Sequence, residues 1–305
     1  MTGSGGIQLK VDTRVFVAGL AIVVVLALIV VIGAACCACI FCVSTTPWWT
    51  TSTQTEHRTD TTVHAGAPNI ELYVDTIGGD VVIEESAAAT DVTISFDVHY
   101  PQGRMNDMQT ETRSEQIDNA TVRITATARH NAGYLATGSY GADVTVTVPK
   151  NASYVLDLHT LGGDITVPPL TGTSVRMDTL GGALDLNGGR YETVYMNTAG
   201  GNIRATYEAT NVTLTTLGGN IDVDTTQTAG RLYANTMGGN INVVLPSNTL
   251  FTVDASTFGG RVRHGSIHLS PTTDTDSHLV GPTEGGAGNL TITLKTMGGN
   301  IDLGY

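Results

Sequence analysis

Hydrophobic and polar residues alternate with a period of two along most of the chain after residue 67, and a short motif punctuates the alternation. The motif Thr-x-Gly-Gly-x-aliphatic occurs eight times, beginning at Thr76, Thr160, Thr179, Thr198, Thr216, Thr236, Thr257 and Thr296. From Thr160 onward it returns about every 19 to 20 residues, except for a last interval of about twice that length. Alternation predicts strands with one buried face, and a fixed period predicts a repeat architecture.

Each repeat predicts two short strands joined at the glycine pair. The residues two and four positions before the Thr are apolar in all eight copies, as Leu214 and Val212 are, and so is the residue two after the second Gly, as Ile221 is. Such a unit has room for two strands and two turns, so that identical positions of successive units stack about 4.8 Å apart. The sequence therefore predicts an all-β fold, a parallel β-solenoid (β-helix) of coils of about 19–20 residues.

The remaining motif positions are expected to be structural. The glycine pair supplies a corner, through positive φ angles and close approach of adjacent coils. The Thr has inward parity, where its hydroxyl can bond a backbone group of a neighbouring corner. An Asp or Asn follows the glycines in six copies, and this row could bind calcium. Calcium-binding solenoids repeat every nine residues, however, so a ladder of side-chain bonds to the turn backbone is favoured.

Two segments depart from the repeat. Between the first and second motifs, alternating stretches at 91–100, 121–129 and 143–148 flank a polar segment, and we expect strands that cover the first end of the solenoid or form a side sheet. Near the C-terminus, 271–288 replaces a regular unit. The sequence leaves two outcomes open: the last coil is an exposed edge that associates end to end, or 271–288 folds back over it.

The first 66 residues have a different pattern. Residues 15–43 carry no charge and would form a helix about 43 Å long, which predicts one N-terminal transmembrane α-helix in contact with membrane lipid. Lys10 and Arg14 precede it, so residues 1–14 are a predicted cytoplasmic tail of a single-pass protein in the cell membrane, with the C-terminal domain extracellular. Residues 44–66 are Thr-rich and predict a solvated stalk, which leaves 67–305 as the ectodomain.

Composition and charge exclude several classes of function. The chain has 305 residues, 41% of them hydrophobic, and a formal net charge of −13. Because no run of Lys or Arg occurs, nucleic acid is excluded as a partner. All four cysteines lie between Cys36 and Cys42, so neither disulfides nor a Cys zinc site can hold the repeat domain together. For these cysteines, helix packing, disulfides between copies and lipid attachment remain open.

The stretch VTVTVPKNASYVLDLHTLGGDITV (Val144–Val167), followed by repeated Thr-x-Gly-Gly-[Asn/Asp]-Ile, resembles the putative adhesin family of domains of unknown function, found on bacterial and archaeal cell surfaces. The resemblance covers most of residues 67–305. It implies a β-helical, non-enzymatic surface module, in some members linked with envelope stress responses. It brings no catalytic residue to this chain.

One cluster is a candidate ligand site. Arg261, Arg263, His264 and His268 concentrate basic groups on an acidic domain and could bind an anion; the alternative is an irregular coil beside 271–288. No catalytic, cofactor or metal-binding residue is predicted, and the histidines match no metal-ligand spacing.

The leading hypothesis is a membrane-anchored cell-surface solenoid that serves as an adhesion or envelope-structural module without catalysis. Its partners would be surface glycans or envelope proteins, and a homo-oligomer is left open. The alternatives are a β-helix enzyme that acts on polysaccharide and an accessory protein in envelope-stress sensing.

Overall fold

The structure, a computed structural model, describes residues 53–63, 66–131 and 140–305. The predicted cytoplasmic tail (1–14) and transmembrane helix (15–43) lie outside these residues. Within the described part of the chain, no helix has the length and apolar character needed to cross a membrane. Residues Ser52–Tyr305 form a compact unit of their own, and its described strands find all their partners within it, so it meets the usual criterion for a domain that folds alone.

The described residues form β-strands and one 3-10 turn, Met105–Asp107. The strands are β1 Thr53–Val63, β2 Asn69–Thr76, β3 Val81–Ser86, β4 Val92–Pro101, β5 Met108–Gln116, β6 Thr121–His130, β7 Gly141–Pro149, β8 Ser153–Thr160, β9 Ile165–Val167, β10 Leu170–Asp178, β11 Leu184–Asn197, β12 Ile203–Thr215, β13 Ile221–Thr225, β14 Ala229–Asn235, β15 Ile241–Val244, β16 Phe251–Thr257, β17 Val262–Arg263, β18 Thr273–Thr275, β19 His278–Pro282, β20 Asn289–Thr296 and β21 Ile301–Gly304.

The strands stack into two faces that meet at the glycine corners. The first face holds the strands that precede each glycine pair, in the order β5-β6-β2-β8-β10-β11-β12-β14-β20-β16-β19-β18. The second face runs β1-β4-β7-β3-β9-β11-β12-β13-β15-β21-β17. Pairing between coils is parallel, and β11 and β12 run through from one face to the other. The prediction of an all-β, solenoid-like fold is confirmed.

Two coils are out of sequence order. The β6–β7 coil lies outside the β2–β3 coil, although it follows it in the chain. At the other end, the β20–β21 coil is inserted between β14–β15 and β16–β17. The C-terminal motif therefore lies inside the stack, and the prediction that the last coil is an exposed edge is wrong. The segment 271–288 does fold back over an end of the solenoid, but it covers the β16–β17 coil and not the C-terminal coil: β19 pairs antiparallel with β16, and the Val262 amide donates to the Asp276 carbonyl at 2.8 Å.

The first end of the solenoid is also closed by antiparallel strands. β4, β6 and β7 correspond to the predicted alternating stretches, but β5 lies in the polar segment that these stretches flank, for which no strand is predicted. Only Met108 of β5 is buried, so this edge strand lacks a hydrophobic alternation. β1 pairs with β4, which places residues 53–63 of the predicted stalk in the domain and moves its boundary before residue 67. Threonine suits edge strands as well as stalks.

The core is the set of inward-facing ladders that the repeat predicts. Positions two and four before each motif Thr are at most 1% exposed in every coil, and the aliphatic residue after the glycines is buried in all but one. That exception is Val262, in the last coil of the stack, where it is half-buried.

The motif Thr and the second Gly lock neighbouring coils together. The Thr216 hydroxyl donates to the Gly201 carbonyl of the preceding coil at 2.9 Å and accepts the Gly219 amide of its own coil at 3.2 Å. The motif Thr hydroxyls all donate to the equivalent carbonyl. A Cβ on Gly219 would lie 1.9 Å from the Gly201 oxygen. Close approach therefore requires the second Gly, whereas positive φ within the motifs occurs only at Gly78.

Candidate functional site

The outward side of the first face carries aromatic and charged residues that lie in register. Three positions before the motif Thr, neighbouring strands β2, β8, β10 and β11 present Tyr73, Asp157, Arg176 and Tyr195 in one row. Because strand residues alternate between faces, these side chains point away from the core ladders. Together with His159 and Asp178, two residues further along β8 and β10, they form what we call the Tyr–Arg network.

His159 joins the first half of the network. Its Nε2 lies 2.7 Å from Asp157 Oδ1 and its Nδ1 lies 3.7 Å from Asp178 Oδ2. The imidazole ring also packs against the Tyr73 ring, with 5.6 Å between ring centroids. Three adjacent strands thus share one cluster of side chains.

Arg176 joins the second half. Its Nε donates to Asp178 Oδ2 at 2.6 Å and lies 3.7 Å from Asp157 Oδ1. Its Cζ stands 4.8 Å from the centroid of the Tyr195 ring, a cation–π contact. The Arg176 side chain is still 52% exposed, so a ligand can reach the guanidinium, and Tyr195 beside it is only half-buried.

Neighbouring groups stabilise the protonated forms at this site. The hydrogen bond to Asp178 raises the pKa of Arg176, with further contributions from the charges of Asp178 and Asp157. Partial burial raises the pKa of Tyr73, and the charges of Asp75 and Asp157 add to the shift. The guanidinium is therefore charged and the phenol neutral throughout the physiological range.

A groove of about 270 Å³ opens beside the network, across β6, β2 and β8. Its outer wall is an ion pair between Arg123 Nη2 and Glu71 Oε2, 2.8 Å apart. Tyr73 and Asp157 belong to both the groove and the network. A ligand lying in the groove would therefore extend directly onto the network.

The glycine corner carries a second surface. The residue between the motif Thr and the glycines points outward, and it is apolar in every motif. In stacking order these residues, which we call the corner stripe, are Ile77, Leu161, Leu180, Ala199, Leu217, Met237, Met297 and Phe258. Leu180 is 61% exposed and Phe258 91% exposed. Exposed leucine, methionine and phenylalanine in a continuous row are typical of an interaction surface.

A polar row, the Asx row, runs beside the corner stripe. Each Asp or Asn side chain of the row accepts a backbone N–H of the next coil, as Asn202 Oδ1 does from Asn220 at 2.8 Å and Asn220 Oδ1 does from Asn240 at 2.8 Å. The predicted Asx ladder is therefore observed. In stacking order the row is Asp143, Asp80, Asp164, Ala183, Asn202, Asn220, Asn240, Asn300 and Arg261. It is acidic at one end, neutral in the middle and basic at the other end.

The four basic residues predicted as an anion site lie around β17. Arg263 Nη1 lies 3.3 Å from Asp302 Oδ1, and His264 Nε2 lies 4.0 Å from Asp274 Oδ2. Arg261 and His268 are exposed. Two of the four basic side chains thus face a carboxylate, which competes with an anionic ligand. Among residues 53–63, 66–131 and 140–305, no group of His, Cys, Asp and Glu could hold a metal ion.

Sequence reasoning missed both surfaces, although each had a signal. The apolar residue inside every Thr-x-Gly-Gly motif is visible once the copies are aligned. The residues of the Tyr–Arg network occupy two positions of the aligned repeat, three residues and one residue before the motif Thr. What the alignment could not supply is which side chains of neighbouring coils touch.

Comparison with known proteins supports the family assignment. Residues 156–304 match the Toastrack DUF4097 domain family, whose function is unknown. The prediction of an adhesin-type domain is thereby confirmed at the level of the family. No curated protein matches the sequence.

Solved structures from several bacteria are similar to this chain over most of their length. A putative cell adhesion protein from Clostridium sporogenes is 11% identical, with 83% of this chain and 99% of that chain covered and a TM-score of 0.37. A putative adhesin from Bacteroides fragilis is 14% identical, with 84% and 99% covered and a TM-score of 0.40. A putative lipid binding protein from Parabacteroides distasonis is 10% identical, with 83% and 98% covered and a TM-score of 0.28.

Proposed function

We propose that this protein is a non-catalytic surface module that binds neutral glycans through the Tyr–Arg network. The observation that carries the proposal is Arg176, held by Asp178 on one side and stacked on Tyr195 on the other while remaining half exposed. A sugar ring can stack its apolar C–H face on an aromatic ring while its hydroxyl groups bond to the guanidinium and carboxylates around it.

The charge of the protein favours a neutral ligand over an anionic one. The chain carries a formal net charge of −13, and Asp157 and Asp178 flank the only arginine of the network. Acidic polysaccharides would be repelled. Because the network sits on hydrogen-bonded strands, little side-chain freedom is lost on binding, although each contact is shallow. Many copies on one surface would provide avidity.

The carboxylates of the network favour binding over hydrolysis. Glycoside hydrolases need an acid and a base or nucleophile on opposite sides of the scissile bond, in a cleft that distorts the substrate. Here Asp157 and Asp178 lie on one outward sheet face, where both are within ion-pair distance of Arg176 and beside His159. The polysaccharide-acting enzyme is therefore the less favoured alternative.

The proposed location is the outer surface of the cell membrane, with residues 15–43 as the anchor. The support is the uncharged run with Lys10 and Arg14 before it. Protease added to intact cells should remove residues after 44 and leave the anchor. Protection in intact cells, with cleavage only after lysis, would reverse this topology.

Glycan binding is tested with the domain of residues 52–305 on a panel of neutral and acidic polysaccharide fragments, followed by titration calorimetry. Tyr195→Ala should weaken binding to a neutral fragment by about tenfold, because the stacking ring is lost. Tyr233→Ala is the matched control, since Tyr233 lies in the same row two coils further on, outside the network. Equal effects of both changes, or binding confined to acidic fragments, would contradict the proposal.

A further inference from the structure

The corner stripe is the longest exposed apolar feature of the described structure, and the proposed function does not use it. With eight coils about 4.8 Å apart, the row is about 34 Å long. The motif Thr and the second Gly bind the corner backbone from inside, so packing does not require an apolar residue at this outward position. Exposed Leu and Met side chains in such a row indicate a partner.

We propose that the corner stripe is an antiparallel interface between two copies of this chain. A second copy offers an identical row with the same spacing, so side chains of one stripe can fit between those of the other along the whole length. In an antiparallel pair related by a two-fold axis that passes through the middle of the stripe, the first of the eight motif coils faces the last. Phe258, the largest and most exposed member, then lies opposite the half-buried Ile77, and the small Ala199 lies opposite Leu217.

The Asx row decides the direction of pairing. In the antiparallel arrangement the row of one copy faces the row of the other with its order reversed. Arg261 then meets Asp80 of the other copy, and Asp164 meets Asn300. In a parallel two-fold pair, Asp80 would instead face Asp75 of the other copy, at the same level, and Asp75 is already paired with Arg129 at 3.4 Å, so the attraction between Arg261 and Asp80 would be lost. Charge complementarity therefore selects the antiparallel pair.

Arg261 is available for this role. Its side chain is exposed, and its backbone amide, donating to Asn300 Oδ1 at 2.9 Å, holds it at the end of the row. Asp80 and Asp164 use one carboxylate oxygen each for the next coil, at 2.8 and 2.7 Å. The second oxygen of each carboxylate is left to face the partner.

The size of the contact predicts a weak dimer. A strip roughly 10 Å wide along the stripe gives a projected patch of about 340 Å² on each copy, or about 680 Å² in total, which is below the roughly 1,200 Å² of stable interfaces. We expect association at high micromolar concentration rather than an obligate dimer, because such a patch excludes water from few residues.

Sedimentation equilibrium of the domain of residues 52–305, over micromolar to millimolar concentration, tests the interface. The wild-type domain should form a reversible dimer. Leu180→Asp should weaken it by at least about tenfold, since it places a charge in the stripe. Met105→Asp is the control, because Met105 is 46% exposed but lies off the stripe. Circular dichroism melting verifies that both variants are folded.

Cross-linking tests the direction, because residues 53–305 contain no cysteine. Leu161→Cys and Met297→Cys lie opposite each other only in the antiparallel pair. A mixture of the two variants should cross-link through a short thiol-specific reagent, while Leu161→Cys alone should not. Self-linking of Leu161→Cys would overturn the antiparallel arrangement.

Three further results would overturn the dimer itself. One is a monomer at every concentration, and another is a dimer that Leu180→Asp leaves intact. The third is flotation of the domain with phosphatidylcholine vesicles that Leu180→Asp abolishes, which would identify lipid as the occupant of the stripe. Arg261→Glu supplies an independent readout, because it should weaken the dimer while Arg261→Lys preserves it.

Discussion

Replacing the second glycine of a central motif by alanine should separate two coils of the solenoid. In Gly219→Ala the new Cβ would lie 1.9 Å from the Gly201 oxygen and 2.5 Å from the Gly201 carbonyl carbon. Both atoms are backbone, so the contact cannot be relieved by rotating a side chain. The coils must move apart by roughly 1 Å to restore van der Waals distance.

That movement stretches the hydrogen bonds that cross the corner. The Thr216 hydroxyl bonds to the Gly201 carbonyl at 2.9 Å, and the Asn220 amide to Asn202 Oδ1 at 2.8 Å. Each bond contributes about 0.5–1.5 kcal/mol, and overpacking costs about 1–3 kcal/mol, so Gly219→Ala should lower the free energy of unfolding by about 2–6 kcal/mol. For a domain of this size the melting temperature should fall by roughly 10 °C.

Gly218→Ala is the matched control on the same corner. Its Cβ would lie 3.8 Å from the nearest atoms, the Ala199 and Gly200 oxygens, and Gly218 does not have a left-handed φ. Alanine there should be neutral or stabilise by about 0.4–1 kcal/mol through the unfolded state. Urea unfolding of the domain followed by circular dichroism measures both. Equal effects of the two substitutions would refute the close-approach argument.

Two further predictions concern the Asx row and the buried tyrosines. Ala183 interrupts the row, so Ala183→Asn should add an acceptor for the Asn202 amide and raise the free energy of unfolding by about 0.5–1 kcal/mol; no gain in urea unfolding would contradict the ladder energetics. Burial raises the pKa of Tyr191 and Tyr207 well above the ordinary value. These phenols stay neutral in the folded domain but ionise near pH 10 when unfolded, so their stabilisation is present below pH 10 and lost as the pH rises further. Unfolding in urea should show this loss between about pH 9 and 11, and Tyr207→Phe should reduce it; an unchanged slope would count against the assignment.

The repeat made much of the fold predictable from the sequence. Alignment on the motif Thr predicts the buried ladders and the inward Thr. Side chains alternate along a strand and the period is fixed, so each aligned position faces the same side in every coil. Two reasons are predicted for the glycine pair, positive φ and close approach of adjacent coils, and close approach is the one that applies to most motifs. A sequence cannot distinguish the two, because both require glycine. Only the distance from Gly219 to the neighbouring carbonyl distinguishes them.

The edge strands were not predictable in the same way. β1 and β5 have polar residues on both sides, since each is paired along one edge only and covers little of the core. Their pairing depends on a long-range contact with β4 and β6 rather than on their own pattern. A Thr-rich strand and a Thr-rich stalk therefore share one sequence signature.

The sequence by itself determined the composition of each coil: which residues face the core, where the corner falls, and that a Thr and a Gly occupy it. Only the tertiary structure decided the order of the coils, because identical motifs stack equally well on any neighbour. The connections that form β18–β19 and β4–β5 place one coil out of order at each end and close both edges. The same stacking decides which outward residues meet, and so creates the Tyr–Arg network and the corner stripe from positions far apart in the chain.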